Sequence, residues 1–553
     1  MKRFAELYRA LDASTASSAK QAALQAYLRE ADPADAAWAV YFLAGGKPRQ
    51  LVPSRLLREQ VARAAGLPDW LLEECYQAVG DLAETLSLLL PPGPPEAEPG
   101  LSLAQWLETC LLPLRGQAPE AQARALQQHW QALPAGQALV YFKLITGALR
   151  VGVSRQQLTQ ALAALSGLPA ALITQRLMGY TLPEFRPGPA DYLALLAPED
   201  AAAAAGQPYP FQLAQPLDPA QGTAALSGVR GDWLAEWKWD GIRAQLLRRE
   251  GGSWLWSRGE ELIGERFPEL LALAERLPTG TVLDGEILVW PPDAARPAGF
   301  AALQRRLGRQ KPAARLLREL PVCLCAYDLL EWQGRDVRAW PLAQRRAQLD
   351  ELLAGLDDAR LRLSRLVEAP DWAQLAAARA QARERGVEGL MLKPAASPYG
   401  VGRVRGPEAW WKWKLAPLVV DAVLVYAQRG HGRRASLYTD YTFAVWSDPP
   451  EVPGRRLLPL AKAYSGLSDA EIREVDALIR RHTVESFGPV RSVAPLMVFE
   501  LGFEGLAESP RHKSGLALRF PRMLRWRQDK PPEEADCLSS LRALLPAPAE
   551  GPA

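Results

Sequence analysis

The chain has 553 residues, 48% of them hydrophobic and 23% charged, which is too long for one core and too apolar for a disordered or fibrous protein. Lys and Arg total 65 against 62 Asp and Glu, a net charge of +3 that excludes a polyanionic or polycationic chain yet still allows a basic face. The start, MKRFAELYRALD, lacks the apolar core of a signal peptide, and no run approaches the roughly 18 apolar residues of a membrane span, so the expectation is no membrane and a cytoplasmic location.

Up to about residue 185 the pattern is helical. Phe4, Leu7, Tyr8 and Leu11 recur at helix spacing, and Asp32-Pro33 reads as a cap with a first-turn proline. PPGPPEAEPG (91–100) interrupts the pattern as an internal loop before LAQWLETCLLPL resumes it. Near residues 186–219 alanine, proline and glycine replace the amphipathic period, which marks an interdomain linker. Short strand-like runs follow: DWLAEWKW, SWLWSR, TVLDGEILVW, PVCLCAYDLL and GLMLKP, alternating with helical patches PELLALAERL and PLAQRRAQLDELLAGL. After WWKWKL come roughly five more strands, in VVDAVLVYAQ, ASLYTDYTFAVW, LPLAKAYSG, LMVFELGFEGL and ALRFPRMLRWR, with one helix at DAEIREVDALIRRH, a count that suits a small, partly open barrel. The expected fold is therefore multidomain: an all-α domain over 1–205, an α+β domain over 206–415, a β-barrel over 416–545 and a tail at 546–553. Of the five cysteines only Cys323 and Cys325 are close, alternating as in a buried strand and not as metal ligands or a disulfide framework.

The strands carry charges in unusual places. In AEWKWDGIR, Glu236 and Lys238 share one face while Trp237 and Trp239 share the other, and Gly241 permits the turn that follows. A snorkelling surface lysine is the plain alternative for Lys238 taken alone. Asp284 and Glu286 in LDGEIL, Arg258 after SWLWS, Glu388 and Lys393 in EGLMLK, and Lys412 with Lys414 in WWKWK repeat the pattern. An unpaired ion in a half-buried strand costs several kcal/mol, so a shared anionic ligand with a divalent metal accounts for the set more economically than separate structural ion pairs. Attack on phosphorus by a lysine fits it. A free lysine titrates near 10.4, so only about one in a thousand is a neutral amine near pH 7.4, and the expectation is that Lys412, Lys414, Arg243 and a metal on Glu286 and Glu388 disfavour the ammonium.

In order along the chain, EWKWDGIR, SRGEE, LDGEIL, AYDLL, EGLMLK, WWKWK and RWRQDK resemble the motifs of the ATP-dependent DNA ligases, covalent nucleotidyltransferases related to RNA ligases and messenger-RNA capping enzymes. The resemblance spans residues 236 to 530. It implies a nucleotidyltransferase (adenylation) domain followed by an OB-fold, with Lys238 as the nucleophile that takes AMP from ATP and Asp240 holding the site in order. Glu236 would contact the adenine amino group, Arg243 and Arg258 the ribose and phosphates, and Tyr327 would stack on the base. Glu286 and Glu388 would hold magnesium, with manganese as an alternative, and Lys393, Lys412 and Lys414 would neutralise phosphate. Arg527, Asp529 and Lys530 would orient pyrophosphate from a mobile barrel domain. Tyr327 replaces the more usual phenylalanine, and Gly259 stands where asparagine is frequent.

The helical third resembles, through KLITGALRVGVS, the DNA-binding domain of larger ligases, which implies phosphate contacts at Lys143, Gly147, Arg150 and Gly152. RGHGRR (429–434) reads as a solvated hairpin tip, and SPRHKSGLALRFPRMLRWRQDK, with Arg519 and Arg522, as a phosphate-tracking surface with Asp529 as its one counter-charge. The implied protein is a monomer that seals nicked double-stranded DNA in repair or replication, at the nucleoid. An RNA ligase or capping enzyme is the nearest rival, disfavoured by the helical third. A NAD-dependent ligase lacks its four-cysteine module here, and a non-catalytic end-binding protein would not need Lys238, Glu286, Glu388 and Lys530 intact.

Overall fold

The computed structural model describes all residues except 15, 92, 94–99, 148, 150, 183, 199–205, 219–221, 227, 310, 431–435, 488–489, 511 and 546–553. Arg150, Arg511, most of the 91–100 loop, the 431–434 part of the hairpin tip and the 546–553 tail therefore lie outside the described residues. The rest gathers into two compact units: residues 1–51, 96–116 and 147–415, and residues 52–95, 117–146 and 416–553. The first unit ends at residue 415, and the residues before 147 are divided between the two units.

Every helix or strand assigned from Lys2 to Leu196 is helical. Helix Lys2–Ala13 buries Phe4, Leu7, Tyr8 and Leu11, and Asp32 caps the next-but-one helix by accepting from the Ala34 N–H at 2.9 Å, ahead of Pro33. No helix among the described residues is long and apolar enough to cross a membrane.

In the first unit two sheets meet around the charged strand ends. One is formed by β1 (Trp233–Trp237), β6 (Gly389–Pro394) and β7 (Trp411–Lys414), in the order β1-β6-β7, with the short strand Gln215–Pro216 at its edge. The other runs β3 (Gly252–Ser257), β2 (Ile242–Arg249), β4 (Thr281–Val289), β5 (Val322–Trp332), antiparallel along this path, with the short strand Arg335–Asp336 antiparallel and Leu361–Leu363 parallel to β5. Leu246, Leu283, Ile287, Leu324 and Ala326 turn to one face of this second sheet, where they pack with Phe267 and Leu270 into its main apolar core. The opposite face carries Arg243, Asp284 and Glu286 beside smaller apolar clusters around Leu247 and Leu288. Strand β2 was absent from the expected elements: Ala244, Gln245, Leu246 and Leu247 are all buried, so a strand covered on both faces shows no alternation to read.

In the second unit, β8 (Leu418–Arg429) pairs with β9 (Tyr438–Trp446) along one edge. Along the other it pairs first with β13 (Val498–Phe503) and then with β12 (Val490–Val493). Strand β10 (Leu457–Ala463) follows β9, β11 (Thr483–Phe487) follows β12, and β14 (Arg522–Trp526) follows β13. The expected single strand ALRFPRMLRWR is two, because Phe520 takes φ +51° and Pro521 offers no N–H to a ladder. Strands β11 and β12 had no counterpart in the expected elements. Most of β11 is exposed, so it lacks the apolar alternation of a half-buried strand.

Candidate active site

Lys238 follows β1 directly, and its backbone is fixed on β6. Its N–H donates to Gly389 O, and its carbonyl accepts from Glu388 N–H, each at 2.9 Å. Gly389 has φ +137°, and a Cβ there would collide with the Trp413 carbonyl; a Cβ at Gly241 would collide with that of Ile287. Gly241 thus lets the turn press onto β4, a steric need beyond the turn geometry expected of it. Half-buried Asp240 lies in the same turn.

The Lys238 Nζ reaches Glu388 Oε2 at 2.6 Å, and Lys414 Nζ reaches the same oxygen at 3.0 Å. Burial alone would raise the Glu388 carboxyl, but Lys238 and Lys414 outweigh it and hold it below the usual range. Lys412 and Lys414 stand opposite Met391 and Gly389 on one face of β7, while Trp411 and Trp413 pack into the apolar cluster behind. Burial lowers the Lys412 ammonium, and the positive charges of Lys238, Lys414, Arg403 and Arg258 add to the effect.

Glu286 lies opposite Arg243 on β2 and Cys325 on β5. It makes no hydrogen bond or ion pair among the described residues, and burial pushes its carboxyl up to about 7 against the pull of Lys238 and Arg243. A half-buried carboxylate without a partner is a natural ligand for a cation. No group of three or more His, Cys, Asp or Glu side chains among the described residues is arranged to hold a metal ion; with Glu286 and Glu388 as its two carboxylates, a divalent cation would complete its shell with ligand oxygens and water.

Several expected nucleotide contacts are already engaged elsewhere. The Arg243 Nη2 donates to Asp284 Oδ2 at 2.7 Å and to the Tyr399 hydroxyl at 3.2 Å, and its Nη1 to Gln212 O at 2.6 Å. Asp284 is fully buried and also accepts from Tyr399 at 2.6 Å and Tyr327 at 3.3 Å. Arg243 is therefore engaged as a brace beneath the site. Lys393, 1% exposed, pairs with Glu236 at 3.2 Å and lies 4.3 Å from the centre of the Tyr327 ring, which removes it from the set that could neutralise phosphate. Glu236, 2% exposed, also accepts from Arg346 at 3.3 Å and Ser364 at 3.1 Å. Arg258 is exposed at the end of β3, its N–H bonded to Arg243 O at 2.9 Å.

Three family descriptions match the chain in order: DNA ligase N terminus over residues 1–163, ATP dependent DNA ligase domain over 211–414, and ATP dependent DNA ligase C terminal region over 434–530. A probable DNA ligase of Koribacter versatilis is 34% identical, the match covering 97% of this chain and 95% of that protein. The chain belongs to the ATP-dependent DNA ligases. A probable DNA ligase of Opitutus terrae is also 34% identical, covering 95% of this chain and 55% of the longer relative. The solved structure described as "Pmar-Lig_PreS3" shares the fold with a TM-score of 0.59 at 15% identity, covering 95% of this chain and 99% of that one.

Residues this ligase uses around the site include some with no motif to announce them. Arg345 is fully buried and pairs with the equally buried Asp328 at 2.7 Å, next to Tyr327, while its neighbour Arg346 serves Glu236. Both lie on the buried side of helix Leu342–Ala354 with Leu342, Leu349 and Leu352. Two arginines within the apolar stripe of an amphipathic helix are the signal that buried acids await them.

Arg527 and Lys530 belong to the second unit. Their Nη1 and Nζ share Asp421 Oδ2 at 2.8 and 2.9 Å, and Arg527 also forks onto Asp529, which holds that carboxyl down at about 2. The basic C-terminal run has more counter-charges than Asp529: β13 sets Glu500 opposite Arg525, with the pair closing at 2.9 Å, and Glu504 meets Arg522 at 3.1 Å. Arg519 lies with its guanidinium 5.1 Å from the centre of the Phe520 ring.

The expected phosphate contacts in the helical third are corrected in part. Lys143, 6% exposed, pairs at 2.6 Å with Asp81, the cap of helix Leu82–Leu89, and is not available to DNA. The Gly152 carbonyl accepts from Lys20 Nζ at 2.8 Å, and Gly147, at φ +64°, packs against Lys47.

Proposed function

We propose that Lys238 is the nucleophile of this ligase. Its Nζ attacks the α-phosphorus of ATP, forming a phosphoramidate and releasing pyrophosphate; AMP then passes to the 5′-phosphate of a nick, and the 3′-hydroxyl displaces AMP to close the backbone. The observation that carries this reading is the convergence of Lys238 and Lys414 on one oxygen of Glu388, beside the cation Lys412 and Glu286, which has no partner among the described residues.

Glu388 holds the Lys238 ammonium in place, and Lys414 shares the same oxygen. For attack the ammonium gives up a proton, which the Glu388 carboxylate passes to water; the neutral amine then forms the P–N bond as the bond from the α-phosphorus to the pyrophosphate oxygen breaks. Lys412 and Lys414 then face the charge that develops on phosphorus, with Arg258 at the rim. Glu286, with Glu388, would hold magnesium or manganese, which supplies charge neutralisation of the phosphates when bound. Tyr327 offers a ring for the base, Glu236 an acceptor for its amino group, and Asp240 a restraint on the nucleophile's turn. Arg527 and Lys530 would orient the departing pyrophosphate.

The long strand β8, shared between β9 on one edge and β13 then β12 on the other, suits an OB-fold over 416–545, with Arg519 and Arg522 toward the nucleic acid backbone. The helices before residue 205 suit DNA binding, with the amides near Gly152 against phosphates. The reading extends to a monomer acting on nicked duplex DNA in the cytoplasm, at the nucleoid. Incubation with α-labelled ATP and magnesium should leave a covalent label that survives denaturation and is absent in Lys238→Ala. Sealing of RNA but not of nicked DNA by the labelled protein would overturn the substrate assignment.

A further inference from the structure

Ser364 is fully buried and touches four parts of the site. Its N–H donates to Ala326 O at 2.8 Å, beside Tyr327, and its carbonyl accepts from Arg346 Nη2. Its hydroxyl accepts from Trp239 Nε1 at 3.0 Å and donates to Glu236 Oε2 at 3.1 Å. A hydroxyl has one proton to give, and here Glu236 receives it, so the direction of the relay Trp239 to Ser364 to Glu236 is fixed. Trp239 immediately follows Lys238 and Glu236 lies two residues before it; one small side chain therefore ties together both flanks of the nucleophile.

The two oxygens of Glu236 differ. Oε1 takes Arg346 and Lys393, whereas Oε2 has Ser364 alone among the described residues and keeps a lone pair for a further donor. A buried carboxylate aimed in this way accepts from an amino group and repels a carbonyl oxygen. We propose that Ser364 is a positioning residue that sets nucleobase choice: its hydroxyl aims Oε2 of Glu236 at the exocyclic group of the purine, so that a 6-aminopurine is accepted and a 6-oxopurine rejected. This rests on the reading that Glu236 faces the base.

The experiment measures covalent labelling of the full-length protein by α-labelled ATP and by α-labelled GTP, and takes the ratio of the two kcat/KM values. Wild type, Ser364→Ala, Trp239→Phe and Glu236→Gln are compared. Because each ratio is formed within one preparation, an unfolded fraction cancels, and a merely structural role for Ser364 would lower both rates without moving it. Ser364→Ala should reduce the ATP:GTP ratio by about tenfold or more, and Trp239→Phe, which removes only the donor behind the hydroxyl, by about threefold in the same direction as Glu236→Gln. Ratios for Ser364→Ala and Trp239→Phe within twofold of wild type, with Glu236→Gln altered, overturn the role of Ser364. An unmoved ratio in Glu236→Gln overturns the base-facing reading itself, and this inference with it.

Discussion

The ammonium of Lys238 stands 2.6 Å from Oε2 of Glu388, a carboxylate presented by the residue just before β6. Since Lys414 shares that oxygen, Glu388 sets the position of both cations, and its replacement should disturb attack more than binding. Glu388→Gln should slow covalent labelling by on the order of 100-fold. Lys238→Arg should abolish it, because a guanidinium remains protonated and cannot attack phosphorus. Labelling of Lys238→Arg at the wild-type rate would remove Lys238 from the chemistry.

Glu286 gives a pH dependence of known sign. Its carboxyl rises from an ordinary 4.5 to about 7 in the folded protein because burial penalises its charge. Between those values the folded state keeps a proton that the unfolded state has released, so the contribution of this group to stability falls as pH rises from about 4.5 to about 7. Thermal midpoints of metal-free protein should show this fall, and Glu286→Gln should lack that component. Magnesium should restore stability at pH 7.5 in the wild type and much less in Glu286→Gln. For labelling, the ionised form is the competent one, so activity should be lost as pH falls through about 7 at low magnesium, and excess magnesium should move that loss to lower pH.

The charges that alternation exposes, Glu286 on β4 and Lys412 with Lys414 on β7, were legible in the sequence because a strand has only two faces and an ion on the wrong one is conspicuous. Arg243 and Lys393 were legible as buried charges but not in their roles, since what they pair with depends on Asp284 and Glu236 meeting them across separate strands. Ser364 left no trace: a single hydroxyl in a loop acquires meaning only once β1, β5 and the helix Leu342–Ala354 close around it. The strands were likewise legible where one face was apolar, and β2 and β11 were missed for opposite reasons, the first buried on both faces and the second largely exposed.

Lys143 separates stability from DNA contact. Its ammonium is buried against Asp81 at 2.6 Å, and removal of one partner of such a pair leaves a poorly solvated charge. Lys143→Met should lower stability by about 3 kcal/mol, read from the urea midpoint. The salt dependence of DNA affinity in the folded fraction should stay the same, since no phosphate contact is lost. A shallower salt slope at unchanged stability would return Lys143 to the DNA interface.

Asp421 tests the second unit. Arg527 and Lys530 bring two positive charges to one oxygen, Oδ2, of a carboxylate that is 9% exposed and whose Oδ1 has no hydrogen-bond partner among the described residues. Two cations converge in this way only while an anion lies between them; without it, mutual repulsion drives them apart. If Arg527 and Lys530 orient pyrophosphate, their convergence matters when ATP reacts and not when the nick is closed. Asp421→Asn should therefore slow covalent labelling by ATP about tenfold more than it slows sealing of a nick already carrying AMP. Equal losses in the two assays would mean that the Asp421 carboxylate acts only through the stability of the second unit and that the paired cations have no special part in the first step.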